Sequence, residues 1–133
     1  MDAASALADL TEISSHLEAA VLVDGKRAVL ASTCTGEGRG ESLAQAGLAL
    51  LDAAESRFGT GGRAVTQLEA ALREGSVFVS REGELAIVAR TTADPPSGLV
   101  LYDLKACLRT VGESRGKPKG RSRAAKKAAT ADA

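Results

Sequence analysis

The chain has 133 residues, enough for one domain with a single proper core. Its composition is 44% hydrophobic but includes only two Phe, one Tyr and no Trp, so the core must be aliphatic and an aromatic platform for stacking nucleobases is excluded. The formal net charge is zero, yet residues 115–133 carry seven basic residues and one acid, a net +6, against −6 over the rest of the chain.

No apolar run approaches the ~20 residues of a membrane span. The first ten residues, MDAASALADL, are acidic and lack the basic start of a secretion signal, which predicts a cytosolic protein. Leu7, Leu10, Ile13 and Leu17 then recur at spacings of three and four, which predicts an amphipathic helix over Ala3–Leu17 with Asp2 as its N-cap. His16 falls late in that segment and reads as a surface or helix-end histidine, because one histidine cannot hold a metal alone. Next, Val21–Val23 and Ala28–Ala31 flank Asp24-Gly25, a strong two-residue hairpin signal, giving the first two strands.

Thr35-Gly-Glu-Gly-Arg-Gly40 is a loop and not a phosphate cradle. A P-loop needs Lys and Ser/Thr after its last glycine, and here Glu41-Ser42 follow. Gly59–Gly62 likewise lacks the lysine.

Between these loops, Glu41–Phe58 reads as a helix with an unusually wide apolar arc. At about 100° per residue, Leu43, Gly47, Leu50, Ala54 and Phe58 form one stripe and Ala44, Leu48 and Leu51 a neighbouring one. One stripe suffices to cover a sheet. The second, Ala44, Leu48 and Leu51, is expected to meet a second copy of the chain in a homodimer. Gly47 in mid-helix costs about 1 kcal/mol relative to Ala, which predicts a close approach to another backbone.

Residues 64–73 carry helix-forming composition but sit where a third, edge strand is needed, and a strand is the expectation. Gly75–Thr92 is the centre of the design. Val77–Val79 and Leu85–Ala89 flank a turn in which Gly83 supplies positive φ. Leu85, Ile87 and Ala89 would point one way and Ala86 and Val88 the other, so this strand is apolar on both faces and should be covered on both.

Asp94-Pro-Pro-Ser-Gly98 breaks the chain before a last helix from Leu99 to Thr110 or Val111. Val100, Leu104, Cys107, Leu108 and Val111 give it a regular buried face. Cys34 and Cys107 form no CxxC and read as buried free thiols. From residue 114 the chain becomes poor in large apolar residues, which predicts a folded domain over 1–113 and a disordered basic tail over 114–133. The tail cations are Arg115, Lys117, Lys119, Arg121, Arg123, Lys126 and Lys127. They could neutralise phosphates weakly and without sequence preference, on nucleic acid or an anionic membrane.

No catalytic constellation, metal-ligand cluster or cofactor motif survives inspection. The acids Glu82 and Glu84 flank a turn, where solvated charge explains them. The scarcity of convergent polar and aromatic residues argues against a small-molecule substrate.

Taken in order, the first-helix leucines leading into AAVLVDGKRAVLAST, the Ala-rich ESLAQAGLALLDAAESRF, and GSVFVSREGELAIVARTT followed by SGLVLYDLKACLRTV resemble the roadblock/LC7 (MglB-like) family over residues 5–112. That resemblance implies an α+β fold. It is an α/β/α sandwich with a five-stranded antiparallel sheet in order 2-1-5-4-3, the first and last helices on one face and the middle helix on the other. It also implies dimers formed through the middle helix and third strand. The implied role is regulator or scaffold of a Ras-like small GTPase, acting through the GTPase's own site and without catalytic residues of its own.

Overall fold

A computed structural model describes residues 2–59, 61 and 64–116. The elements run α1 (Ala3–Ile13), β1 (Leu17–Val23), β2 (Val29–Ser32), α2 (Arg39–Phe58), β3 (Gln67–Ala71), β4 (Ser76–Glu82), β5 (Leu85–Thr91) and α3 (Ser97–Gly116). The strands form one antiparallel sheet in the order β2-β1-β5-β4-β3. β5 is the central strand, and its two apolar faces are used as the sequence requires. Leu85, Ile87 and Ala89 join α1 and α3 in one core, with Leu22, Phe78 and Leu104. Ala86 and Val88 join α2 in the other, with Val21, Val23 and Val79.

α1 begins where Asp2 caps it, the carboxylate accepting from the Ser5 N–H at 2.8 Å. It ends at Ile13, one turn earlier than expected. The Ser14 N–H closes on the Leu10 carbonyl and the chain turns, so Leu17 opens β1 instead of closing the helix. Spacing alone could not separate the two, because Leu17 packs against the same core from either element. His16 lies in this turn, and its carbonyl accepts from the Thr92 N–H at 3.0 Å, tying β1 to the end of β5.

The two hairpin turns differ. In Gly83-Glu84, Gly83 alone has positive φ (61°), as a two-residue turn with glycine in first place requires. The β1–β2 turn is longer than Asp24-Gly25. The Asp24 N–H donates to the Ala28 carbonyl, and Arg27, not Gly25, takes the left-handed conformation (φ 65°). Asp24 stabilises it by accepting from the Lys26 and Ala28 N–H groups at 2.9 and 3.0 Å.

Residues 64–73 do form a strand, Gln67–Ala71. The local helix propensity of QLEAALRE loses to the ladder with β4, in which Leu68 faces Val79 and Ala70 faces Val77. α3 starts at Ser97 and continues to Gly116, past the expected end at Thr110 or Val111, so Arg115 belongs to its last turn. Lys117, Lys119, Arg121, Arg123, Lys126 and Lys127 lie outside the described residues.

Candidate interaction surface

α2 covers the sheet with the stripe that was expected to meet a partner. Ala44, Leu48 and Leu51 are 3%, 6% and 1% exposed and pack on Val21, Val79 and Val88. In the other stripe, Leu43 and Ala54 are half-buried at the margin, while Leu50 is 39% and Phe58 75% exposed. Gly47 decides which half of the arc sinks. A Cβ there would lie inside the Val88 side chain, so the helix axis comes closest to β5 at this residue. The close approach is to a side chain of the central strand and not to another backbone. Ala44, Leu48 and Leu51 flank the contact and go down with it, which leaves Ala46, Leu50 and Ala53 outward as a strip of small and apolar residues.

That strip borders the least protected part of the sheet. β3 packs substantially only on β4, and neither α2 nor α3 lies across it to any comparable extent. On the α2 side, Leu68, Ala70 and Val77 are therefore half-buried although they continue the core. The edge of β3 is open as well. The main-chain pairs Thr66–Arg81 and Leu72–Gly75 bracket its ladder, so Leu68 and Ala70 bond to β4 while Gln67, Glu69 and Ala71 turn their N–H and C=O groups outward. No described strand takes them up. An unpaired edge beside an uncovered apolar face is a place where another chain can add a strand and a helix.

Two ion pairs brace α2, one toward the β1–β2 turn and one toward β3. Arg27 grips Asp52 with two parallel hydrogen bonds of 2.9 and 2.6 Å, fastening the β1–β2 turn to the helix. Arg81 donates to Glu55 at 2.5 Å and to the Val65 carbonyl at 2.6 Å, and Glu55 also accepts from the Val65 N–H at 3.1 Å. This second knot fixes the approach to β3. Hydrogen bonds from Arg81 and then from Val65 hold the Glu55 carboxyl below its ordinary range, against a smaller opposing effect of burial. A folded-state value below the unfolded one means that the contribution is present at neutral pH and is lost as pH falls through the folded value. Arg81→Ala is accordingly expected to lower Tm at pH 7, with the gap to the parent shrinking when the melts are repeated in acid below the carboxylate range.

Cys107 lies in the α1/α3 core, where burial first and the nearby Asp9 charge second push its thiol up to about 11. Cys34 departs from the expected burial. It is half-buried at the mouth of a cleft of about 410 Å³ that also receives Arg39 and Arg90. Glu82 stands 3.7 Å from Arg109, and Glu84 lies against Gly25 in the neighbouring turn. Among the described residues no three His, Cys, Asp or Glu side chains gather where they could hold a metal ion. No described helix is long and apolar enough to cross a membrane.

Three helices on a five-stranded antiparallel sheet in order 2-1-5-4-3, with the middle helix alone on its face, define the roadblock/LC7 fold. The chain is similar to the roadblock/LC7 domain from Streptomyces avermitilis, with a TM-score of 0.75 and 19% identity over 88% of this chain and 100% of that one. It is also similar to the gliding protein MglB from Thermus thermophilus (TM-score 0.69, 16% identity, 84% of this chain and 86% of that one). A structure of MglB with a tetrameric arrangement superposes equally well (TM-score 0.70, 16% identity, 84% and 85%). No protein-family model matches the sequence and no curated protein is similar to it in sequence, so the likeness is one of fold.

Proposed function

We propose that the chain is a non-enzymatic homodimer that binds a Ras-like small GTPase as a regulator or scaffold. The observation that carries the dimer is the open edge of β3 beside the outward strip of α2. A two-fold pairing of β3 with its copy would satisfy Gln67, Glu69 and Ala71. It would also bring the partner's α2 over Leu68, Ala70 and Val77, the apolar face that the protomer leaves uncovered. The interface is then Leu43, Ala46, Leu50 and Ala53 with β3, in place of Ala44, Leu48 and Leu51.

The GTPase rests on the resemblance to the MglB-like family and on the kinship of fold with MglB. Such a platform offers contacts and no chemistry, reshaping the GTPase's own site. Sedimentation of the full chain should give twice the 13.5 kDa protomer mass. The immobilised dimer should then retain a Ras-like GTPase from the same genome in one nucleotide state over the other, or change its rate of GTP hydrolysis. A monomer at micromolar concentration overturns the dimer. Equal failure of every such GTPase in both nucleotide states overturns the partner.

A further inference from the structure

The edge of β3 carries side chains that fit a copy of themselves in one register. Leu68 and Ala70 face the α2 side of the sheet, opposite Val79 and Val77. Leu72 follows them in the alternation of the strand and is 65% exposed. Its N–H donates to the Gly75 carbonyl at 2.8 Å, so the turn to β4 holds it at the end of the strand. On the other side of the sheet stand Gln67, Glu69 and Ala71, all exposed, with Arg73 beginning the turn. Neither Glu69 nor Arg73 forms an ion pair among the described residues.

Gln67, Glu69 and Ala71 carry the outward main-chain groups, so in an antiparallel pair with a copy they must oppose one another. A two-fold axis then passes at a single residue of β3, which leaves few registers. An axis at Glu69 sets Glu69 directly against the partner's Glu69, an opposition of like charges that weakens a strand pair. It also leaves Leu72 opposite the partner's Thr66, which precedes the strand. An axis at Gln67 or Leu68 carries Leu72 still further past the start of the partner's strand. An axis at Ala71 sets Leu68 against the partner's Glu74. An axis at Ala70 does none of these. It sets each Leu68 against the partner's Leu72, and Ala70 against the partner's Ala70. Glu69 then lies beside the partner's Ala71 and diagonal to the partner's Arg73, about 7–8 Å away and within reach of a long side chain.

We propose that the two-fold axis passes at Ala70, a register selected by Leu72, which gains the partner's Leu68, and by Glu69, whose like-charged counterpart it keeps away. The inference rests on the homodimer proposed above and adds its register. The Glu69 axis would extend the ladder to Gln67, but those bonds replace bonds to water at an exposed strand end. Two leucines left in water and two opposed carboxylates have no such replacement.

Cysteine bridging reads the register, in a Cys34→Ser background where the remaining Cys107 is buried. Opposed residues that exchange no hydrogen bonds, as Ala70 would be with its counterpart, have Cα atoms about 4.5 Å apart. A disulfide spans about 4.4–6.8 Å. Ala70→Cys should therefore oxidise to a covalent dimer on non-reducing gels. Glu69→Cys, about 9 Å from its counterpart across the diagonal, should stay at the level of the background protein. In a second arm, Glu69→Gln should weaken the dimer severalfold at low salt. The difference should vanish in 1 M salt, where the screening length is about 3 Å. A dimeric parent in which Glu69→Cys bridges, or in which Ala70→Cys does not, overturns the register and leaves the dimer standing. Glu69→Gln that fails to weaken the dimer overturns the register as well. A parent that sediments as a monomer overturns the dimer itself, and the register with it.

Discussion

Leu48→Glu is expected to unfold the protein, whereas Leu50→Glu, two residues on, is expected to leave it folded and to dissociate the dimer. Leu48 is 6% exposed between α2 and the sheet. Removing a buried leucine side chain costs about 2–5 kcal/mol. A carboxylate left among Val21, Val79 and Val88 adds the penalty of an unpaired buried charge. Together these approach the whole stability of a domain, about 5–15 kcal/mol. Leu50 is 39% exposed on the outward strip, where a polar substitution changes monomer stability by about 0.5 kcal/mol or less. Its carboxylate would face the same residue's counterpart across a two-fold, or the apolar strip around it. Circular dichroism and sedimentation read the two effects separately. A folded monomer from Leu48→Glu, or a dimeric Leu50→Glu, would show that the faces of α2 have been assigned the wrong way round.

Gly47→Ala should destabilise the protein although helix propensity alone favours alanine by about 1 kcal/mol. The added methyl has nowhere to go but into Val88, itself fully buried on the central strand. Overpacking of this kind costs about 1–3 kcal/mol, so after the propensity gain the net loss is up to about 2 kcal/mol. For a domain of this size each kcal/mol lowers Tm by about 4 °C. Val88→Ala in the Gly47→Ala background makes room for the methyl, and the double variant should lose less than the sum of the two single changes. Ala46→Gly, on the outward side of the same turn, should show only the ordinary propensity loss of about 1 kcal/mol. A Gly47→Ala protein more stable than its parent would mean that α2 does not sit this close to β5.

Much of this architecture is legible in the sequence because burial leaves a periodic trace. The two-sided apolar run of β5, the regular stripe of α3 and the glycine at the Gly83 turn each place themselves. What the periodicity of α2 could not settle is which half of a wide apolar arc sinks. Ala44, Leu48 and Leu51 stand beside Leu43, Gly47 and Leu50 at nearly equal hydrophobicity, and the choice depends on where Val88 meets the helix. That is a property of two elements 41 residues apart, as the pair Gly47 and Val88 shows. The candidate surface was hidden for a related reason. An open strand edge is made of main-chain groups, and no residue type announces that Gln67, Glu69 and Ala71 lack a neighbour. The end of α1 escaped because Leu17 serves the same core from a strand as it would from a helix.

The position of β5 between β1 and β4 has a consequence for how the chain comes together over time. β4 and β5 are joined by a two-residue turn and can pair as soon as both exist, but Val21 on β1 waits for Val88, 67 residues later. At about 5–20 residues per second, synthesis leaves β1 without its partner for roughly 3 to 13 s. During that interval the short β2 is the only strand beside Val21, Leu22 and Val23 among those already made. The closing of the β1–β5 seam is the one distant pairing in the sheet, and the core under α1 and α3 waits longer still, for Val100, Leu104 and Leu108. Slow ribosomal transit over residues 64–91 would therefore prolong the time that the β5 side of β1 spends unpaired.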